Sequence, residues 1–173
     1  MIRFLSLFMC LVLLGGHLLP QQTFHSRPQK DALSQRYTPL PEWIADGEQP
    51  ASEFGYAVAS AGDVNGDGFE DVLVGIPKYG DAIARAGAVF GYYGGPGGLK
   101  STPDWQYTGP QAGARFGGAV ASAGDVNGDG FDDVVIGAFR YNGGLSEEGA
   151  VFGFYGSSEG LSDTPDWTVE GEQ

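Results

Sequence analysis

Reactive side chains and soft metal ligands are nearly absent from this chain. Cys10 is its only cysteine, and His17 and His25 are its only histidines. Cys10 lies inside an apolar run close to the N-terminus, so disulfides are not expected to stabilise the fold. A lipid anchor on Cys10 is not expected either, because Leu7, Phe8 and Met9 before it are not small. Zinc would find no Cys or His in the folded part. A Ser–His–Asp or Cys–His catalytic set lacks a usable histidine, so the chain is expected not to be an enzyme. Positive charge is scarce as well. Nine Lys and Arg stand against 22 Asp and Glu, for a net charge of −13. That is the opposite of the basic face that nucleic-acid binding requires. The Arg-Gly-Asp tripeptide is also missing.

What the chain has in plenty is glycine, 30 residues of it, without a Gly-X-Y period. Glycine falls between short apolar runs, a pattern of tight turns joining β-strands. The N-terminus reads differently. Met1-Ile-Arg3 is followed by Phe4 to Leu14, apolar apart from Ser6, and then Gly15-Gly16-His17. The run is shorter than the roughly 20 residues of a membrane span and fits a secretory signal, assigned to residues 1–19. An uncleaved membrane anchor is the alternative, since no A-x-A cleavage site is visible. Residues 20–40 are polar and aperiodic and read as a linker, with His25 a solvated side chain. The folded part is assigned to residues 41–173, in a protein expected to be secreted or at the cell surface.

The acids are concentrated in two places. Asp63-Val-Asn-Gly-Asp-Gly-Phe-Glu-Asp71 returns 62 residues later as Asp125-Val-Asn-Gly-Asp-Gly-Phe-Asp-Asp133. Each copy holds four of the 22 acids. Oxygen-bearing side chains recur at the first, third, fifth and ninth places, with glycines between them where the backbone must turn sharply. Calcium takes about six to eight oxygens in a flexible shell. The expected ligands are Asp63, Asn65, Asp67, the Phe69 carbonyl and Asp71, then Asp125, Asn127, Asp129, the Phe131 carbonyl and Asp133. Glu70 and Asp132, in the eighth place, are expected to be solvated. An EF-hand begins with the same letters but needs Glu in the twelfth place, where this chain has Val74 and Ile136. A plain Asn-Gly or Asp-Gly hairpin turn needs neither Asp63 nor Asp71. Magnesium suits the loops less well, because it keeps its waters and a strict octahedron.

The 62-residue shift reaches well beyond the loops. Phe54–Ile76 and Phe116–Ala138 are identical at 18 of 23 positions. The same phase pairs Gly87–Tyr92 with Gly149–Phe154, Trp105 with Trp167, and, extended backwards, Trp43 and Gly47 with Trp105 and Gly109. Four strands are expected per repeat, in the first at Tyr56–Ala61, Asp71–Ile76, Ala88–Tyr93 and Trp105–Gly109. Four short strands repeated radially make a propeller blade. The fold class is therefore all-β, with propeller blades of four antiparallel strands: two full repeats, 54–115 and 116–173, and one preceding strand. Trp105, Tyr92, Tyr93, Phe154 and Tyr155 are expected to pack the core rather than line a carbohydrate groove, since they recur in phase.

Phe54-Gly55, the Asp63–Asp71 loop and Gly75-Ile-Pro77, with Phe116-Gly117, the Asp125–Asp133 loop and Gly137-Ala-Phe139, resemble the FG-GAP repeat of integrin α-chain propellers and their bacterial relatives. Ile76 and Phe139 depart from the family pattern, and the tails Tyr92–Leu99 and Tyr155–Leu161 look like the bacterial versions. The resemblance implies a Ca²⁺-binding module for adhesion or ligand recognition, with an unidentified protein or carbohydrate ligand. The alternative it implies is an accessory propeller of a secreted, phospholipase D-like hydrolase. Ring closure takes roughly four to eight blades. The expectations here are, in order, a fragment of a longer protein, a truncated reading frame, or an assembly that self-associates through open blade edges.

Overall fold

The computed structural model of the protein describes residues 43–80, 85–144 and 147–171. The expected signal, 1–19, and linker, 20–40, lie outside the described residues. Eight strands follow one another: β1 (Ala57–Gly62), β2 (Asp71–Ile76), β3 (Ala88–Tyr92), β4 (Trp105–Thr108), β5 (Phe116–Gly124), β6 (Asp133–Ala138), β7 (Ala150–Phe154) and β8 (Trp167–Glu170). They form two antiparallel four-stranded sheets, ordered β1-β2-β3-β4 and β5-β6-β7-β8. No helix occurs among the described residues. These are two propeller blades, one per repeat.

Side-chain alternation explains how the first sheet buries both faces. Leu73 and Val89 join Phe116, Val134, Ile136, Phe152 and Phe154 in a core between the sheets. Their neighbours Val74, Ile76, Ala88, Phe90 and Tyr92 form a second cluster on the opposite face, covered by Trp43, Ala45 and Phe54. Of the aromatic residues singled out above, Tyr92, Trp105 and Phe154 are buried, Tyr93 is half-buried against the core between the sheets, and Tyr155 is half-buried outside both clusters. Tyr92 is 1% exposed, Trp105 6% and Phe154 0%. Trp105 meets Phe154 edge-on at 5.2 Å.

The seam between the sheets runs backbone against backbone. Phe116 N–H donates to the Ala86 carbonyl at 3.0 Å, and Phe116 bridges to Gly87. A Cβ on Gly75 would stand 2.1 Å from the Gly117 carbonyl oxygen. Glycine is required there because the neighbouring blade's backbone occupies the space of a side chain. The same seam explains the unequal first strands. β5 starts at Phe116, anchored on the first sheet, whereas β1 starts only at Ala57. The strand expected ahead of the repeats does not form: Trp43–Gly47 has no strand structure, because no described strand lies beside it to complete a ladder.

Candidate metal-binding loops

Each acidic loop joins the first two strands of its sheet, β1 to β2 and β5 to β6. In both, a bulge at the end of the leading strand, between Ser60 and Gly62 and between Ser122 and Gly124, launches the chain into the turn. Gly66 and Gly68 take φ of 71° and 87°, and Gly128 and Gly130 take 78° and 96°. In this region an L side chain is strained.

The turn wraps around its first aspartate. The carboxylate of Asp63 accepts the N–H groups of Asp67 at 3.0 Å and Gly68 at 2.8 Å. Asn65 Oδ1 accepts Asp67 N–H at 3.0 Å, and Asp67 Oδ1 accepts Phe69 N–H at 3.0 Å. The second loop repeats this with Asp125 accepting from Asp129 and Gly130 at 3.0 and 2.9 Å. Asn127 Oδ1 and Asp129 Oδ1 close it in the same way. Both loops therefore gather the first, third and fifth residues at one exposed tip. No described hydrogen bond uses the Phe69 or Phe131 carbonyl.

The ninth-place aspartates sit elsewhere. Asp71 is 0% and Asp133 1% exposed. Asp71 accepts Val64 N–H at 2.9 Å and Gly94 N–H at 2.8 Å, one on each oxygen. Asp133 does the same with Val126 and Gly156, both at 2.9 Å. These carboxylates pin the loop to the segment that leaves the third strand of the sheet. A contact to a cation would use their remaining lone pairs. Burial pushes the Asp71 carboxyl above the usual range; the Gly94 and Val64 N–H bonds pull it down, and the charges of Asp67 and Asp63 push it up.

The donor set is all hard oxygen, as calcium requires. The described ion pairs are Lys78–Glu53, Lys100–Asp104 and Arg140–Glu147, so none of the seven loop aspartates has a basic partner among the described residues. Nor do three acidic, His or Cys side chains converge there as a ready cage. The loops fit a cation by donor type and charge, with Asn65, Asn127 and backbone oxygens supplementing the carboxylates.

Asp132, expected to be solvated, accepts the Asp63 N–H on Oδ2 at 2.8 Å. Its own N–H donates to the Asp63 carbonyl at 3.1 Å. Ser157 N–H donates to the Val64 carbonyl at 3.0 Å beside it. The two loops are thus joined across the seam. Glu70, the counterpart of Asp132, is exposed, and among the described residues it accepts only the Ser60 hydroxyl at 2.9 Å. No local signal marks Asp132, since the letter differs from Glu70 by one methylene and its partner lies 69 residues away.

The FG-GAP repeat family matches residues 54–92 and 116–154, one match per blade. The chain is 43% identical over 147 residues to integrin alpha-IIb of Mus musculus, covering 81% of this chain and 14% of that protein. It is 41% identical over 131 residues to integrin alpha-5 of Xenopus laevis, covering 73% of this chain and 12% of that protein. Phosphatidylinositol-glycan-specific phospholipase D of Homo sapiens is 37% identical over 139 residues, 75% of this chain and 16% of that protein. The chain thus spans less than one sixth of the length of these relatives. With the repeat matched in both blades and the likeness running through the seam between them, the chain is an FG-GAP repeat protein, integrin α-like in sequence.

Proposed function

We propose that this chain is a calcium-stapled, non-enzymatic binding module that works outside the cell or on its surface, in adhesion or ligand recognition. The observation that carries the reading is uncompensated charge. Each loop places four acidic side chains within nine residues, and no described Lys or Arg pairs with them. Structures rarely leave like charges gathered without a counter-charge, because each disfavours ionisation of the next. Asp63, Asn65, Asp67, the Phe69 carbonyl and Asp71 would hold one Ca²⁺. Asp125, Asn127, Asp129, the Phe131 carbonyl and Asp133 would hold a second. The cation supplies positive charge and a fixed centre that stiffens the hairpin turn. The chain's own part is to present oxygens from the tip and to anchor the loop base through Asp71 and Asp133.

Recognition of a protein ligand follows the likeness to integrin α chains, and the apolar N-terminal run, read as a secretory signal, favours placement outside the cytoplasm. A carbohydrate ligand would need a surface other than the in-phase aromatics, of which Tyr92, Trp105 and Phe154 are buried. The decisive experiment is a thermal melt across a calcium titration. With a dissociation constant of about 10⁻⁴–10⁻³ M, as in extracellular modules, millimolar calcium adds roughly 1 kcal/mol per loop. The melting temperature should rise with calcium and fall with chelator. A melt indifferent to both would end the calcium reading.

The similarity to the phospholipase D supports a second reading, an accessory propeller serving a secreted hydrolase. A metal-hydrolase segment encoded in the same transcript would favour it. Further FG-GAP repeats there would favour the adhesion module.

A further inference from the structure

The two blades expose unequal faces. Val89 in β3 is 0% exposed because the second sheet covers it, while its counterpart Val151 in β7 is 41% exposed and Val169 in β8 is 60% exposed. On that face of the second sheet lies an open cleft of about 640 Å³, lined by Gly118, Gly137, Phe139, Gly149, Val151 and Gly171 among others. In the first blade the residues in the same phase, Gly75, Gly87, Val89 and Gly109, are the ones that receive Phe116-Gly117. The cleft is the vacant twin of a seat that the chain already fills once.

The first blade carries the matching insert. Phe54-Gly55 repeats Phe116-Gly117, and Gly55 takes a φ of 79° against 81° at Gly117. Tyr56 and Val58 beside it are 60% and 62% exposed. Charge agrees with the fit. Inside the chain, Arg115 enters a 260 Å³ cavity lined by Glu53, Tyr56, Pro77 and Lys78 together with Phe139 and Arg140. In the same register, the Glu53 of an incoming blade would meet Arg115 and Arg140.

One segment stands in the way. Trp43 lies edge-on to Tyr92 at 5.1 Å and its Nε1–H donates to the Lys100 carbonyl at 2.7 Å. Trp105 makes the same pair of contacts on the second blade, with Phe154 and with the Ser162 carbonyl at 3.1 Å. Trp43–Gly47 therefore occupies on the first blade the place that β8 of a neighbour, with Trp167, would take.

We propose that the open face of the second sheet docks the first sheet of a second copy of this chain, head to tail. Phe54-Gly55 enters the cleft at Gly137 and Gly149, and the neighbour's β8 displaces Trp43–Gly47. Such a contact joins two different surfaces, so it propagates into a ring or a filament.

Gly137 separates this from mere stickiness. A Cβ there makes only ordinary contact in the single chain, 3.4 Å from Ala119 Cβ. At the twin position, Gly75, it would strike the incoming carbonyl at 2.1 Å. Gly137→Ala should leave the fold intact and block docking, and Trp43→Ala should free the insert and favour it. The test is sedimentation velocity of the full chain over a concentration series, at an ionic strength that screens the −13 charge. Wild type, Trp43→Ala, Gly137→Ala and the double variant are compared, each checked for strand content by circular dichroism. Expected are self-association of Trp43→Ala at least about tenfold tighter than wild type, a change of roughly 1.4 kcal/mol, and loss of association in both variants carrying Gly137→Ala. A monomeric Trp43→Ala, or association unaffected by Gly137→Ala, overturns the proposal. Should Trp43→Ala fail to fold, wild type against Gly137→Ala decides: association of wild type that Gly137→Ala abolishes supports docking, and a wild type that stays monomeric or a Gly137→Ala that associates equally overturns it.

Discussion

Asp132 Oδ2 accepts the backbone N–H of Asp63 at 2.8 Å, so a side chain of one acidic loop holds the backbone of the other. The bond is not an accident of a crowded surface. A Cβ on Gly62 would stand 2.1 Å from the same oxygen, so the first loop leaves space for it. Charge-assisted bonds to backbone N–H groups are worth about 1.5–3 kcal/mol.

Asp132→Ala is therefore expected to destabilise the chain by about 1–2 kcal/mol. Glu70→Ala, at the same place in the first repeat, should cost less than about 0.5 kcal/mol, because its carboxylate is exposed and meets only a serine hydroxyl. Urea denaturation of the two variants checks this. Equal losses would mean that Asp132 contributes no more than a surface charge.

The loop aspartates divide into two kinds, and substitution should separate them. Asp67→Asn keeps the exposed tip in shape and removes one negative charge. It should lower calcium affinity while leaving stability in chelator nearly unchanged. Asp71→Asn puts an amide nitrogen where one of two buried oxygens accepts Val64 or Gly94 N–H. A buried donor then faces a donor, which costs about 1–3 kcal/mol. Asp71→Asn should therefore destabilise the chain in chelator as well as in calcium. Paired melts of each variant in the two buffers give the answer.

Much of this was legible in the residues because the information is local or periodic. The turn letters Asp, Asn and Gly fix the loops, period-2 apolar runs fix the strands, and the 62-residue phase fixes which strands share a blade. Strand ends fell within one residue of expectation in the first sheet. What stayed hidden depends on stacking. Asp132 and Asp63 meet only once two sheets are packed. Asp71 carries the same letter as Asp67 but lies at the buried base, and no single-residue signal distinguishes an anchor from a tip ligand. Trp43 keeps the repeat phase without forming a strand, since a strand needs a neighbour that the phase alone does not provide.

Tyr93 gives the seam a signature in alkaline solution. Its hydroxyl oxygen accepts Leu161 N–H from the second repeat at 2.9 Å. Burial pushes its pKa from 10.0 up to about 12; the Leu161 bond opposes this and the charges of Asp71, Asp104 and Asp163 add to it. The folded chain thus holds the phenol proton that the unfolded chain releases sooner. The stabilisation is complete below pH 10 and is lost as pH rises through about 12. Burial raises Tyr92 and Tyr107 in the same direction. Tyr93→Phe should make the alkaline loss of stability shallower without abolishing it, and should cost about 1 kcal/mol at neutral pH through the orphaned Leu161 N–H. Denaturation midpoints between neutral and strongly alkaline pH, for both proteins, measure both effects.

The seam itself is tested at Gly75. A Cβ there would stand 2.1 Å from the Gly117 carbonyl oxygen, which is backbone and cannot swing aside. Gly75→Ala must push the sheets apart or bend β2. Either response disturbs the core shared by Leu73, Val89, Phe116 and Ile136. Overpacking of this kind costs about 1–3 kcal/mol, and the rigid obstacle places Gly75→Ala at the upper end. Gly97→Ala is the control, because nothing lies within 4 Å of a Cβ at that position. Calorimetry should find the first variant clearly destabilised and the second close to wild type. If Gly75→Ala melts like wild type, the two blades are not pressed together at this glycine, and Gly137 would not be a point of close approach for an incoming blade either.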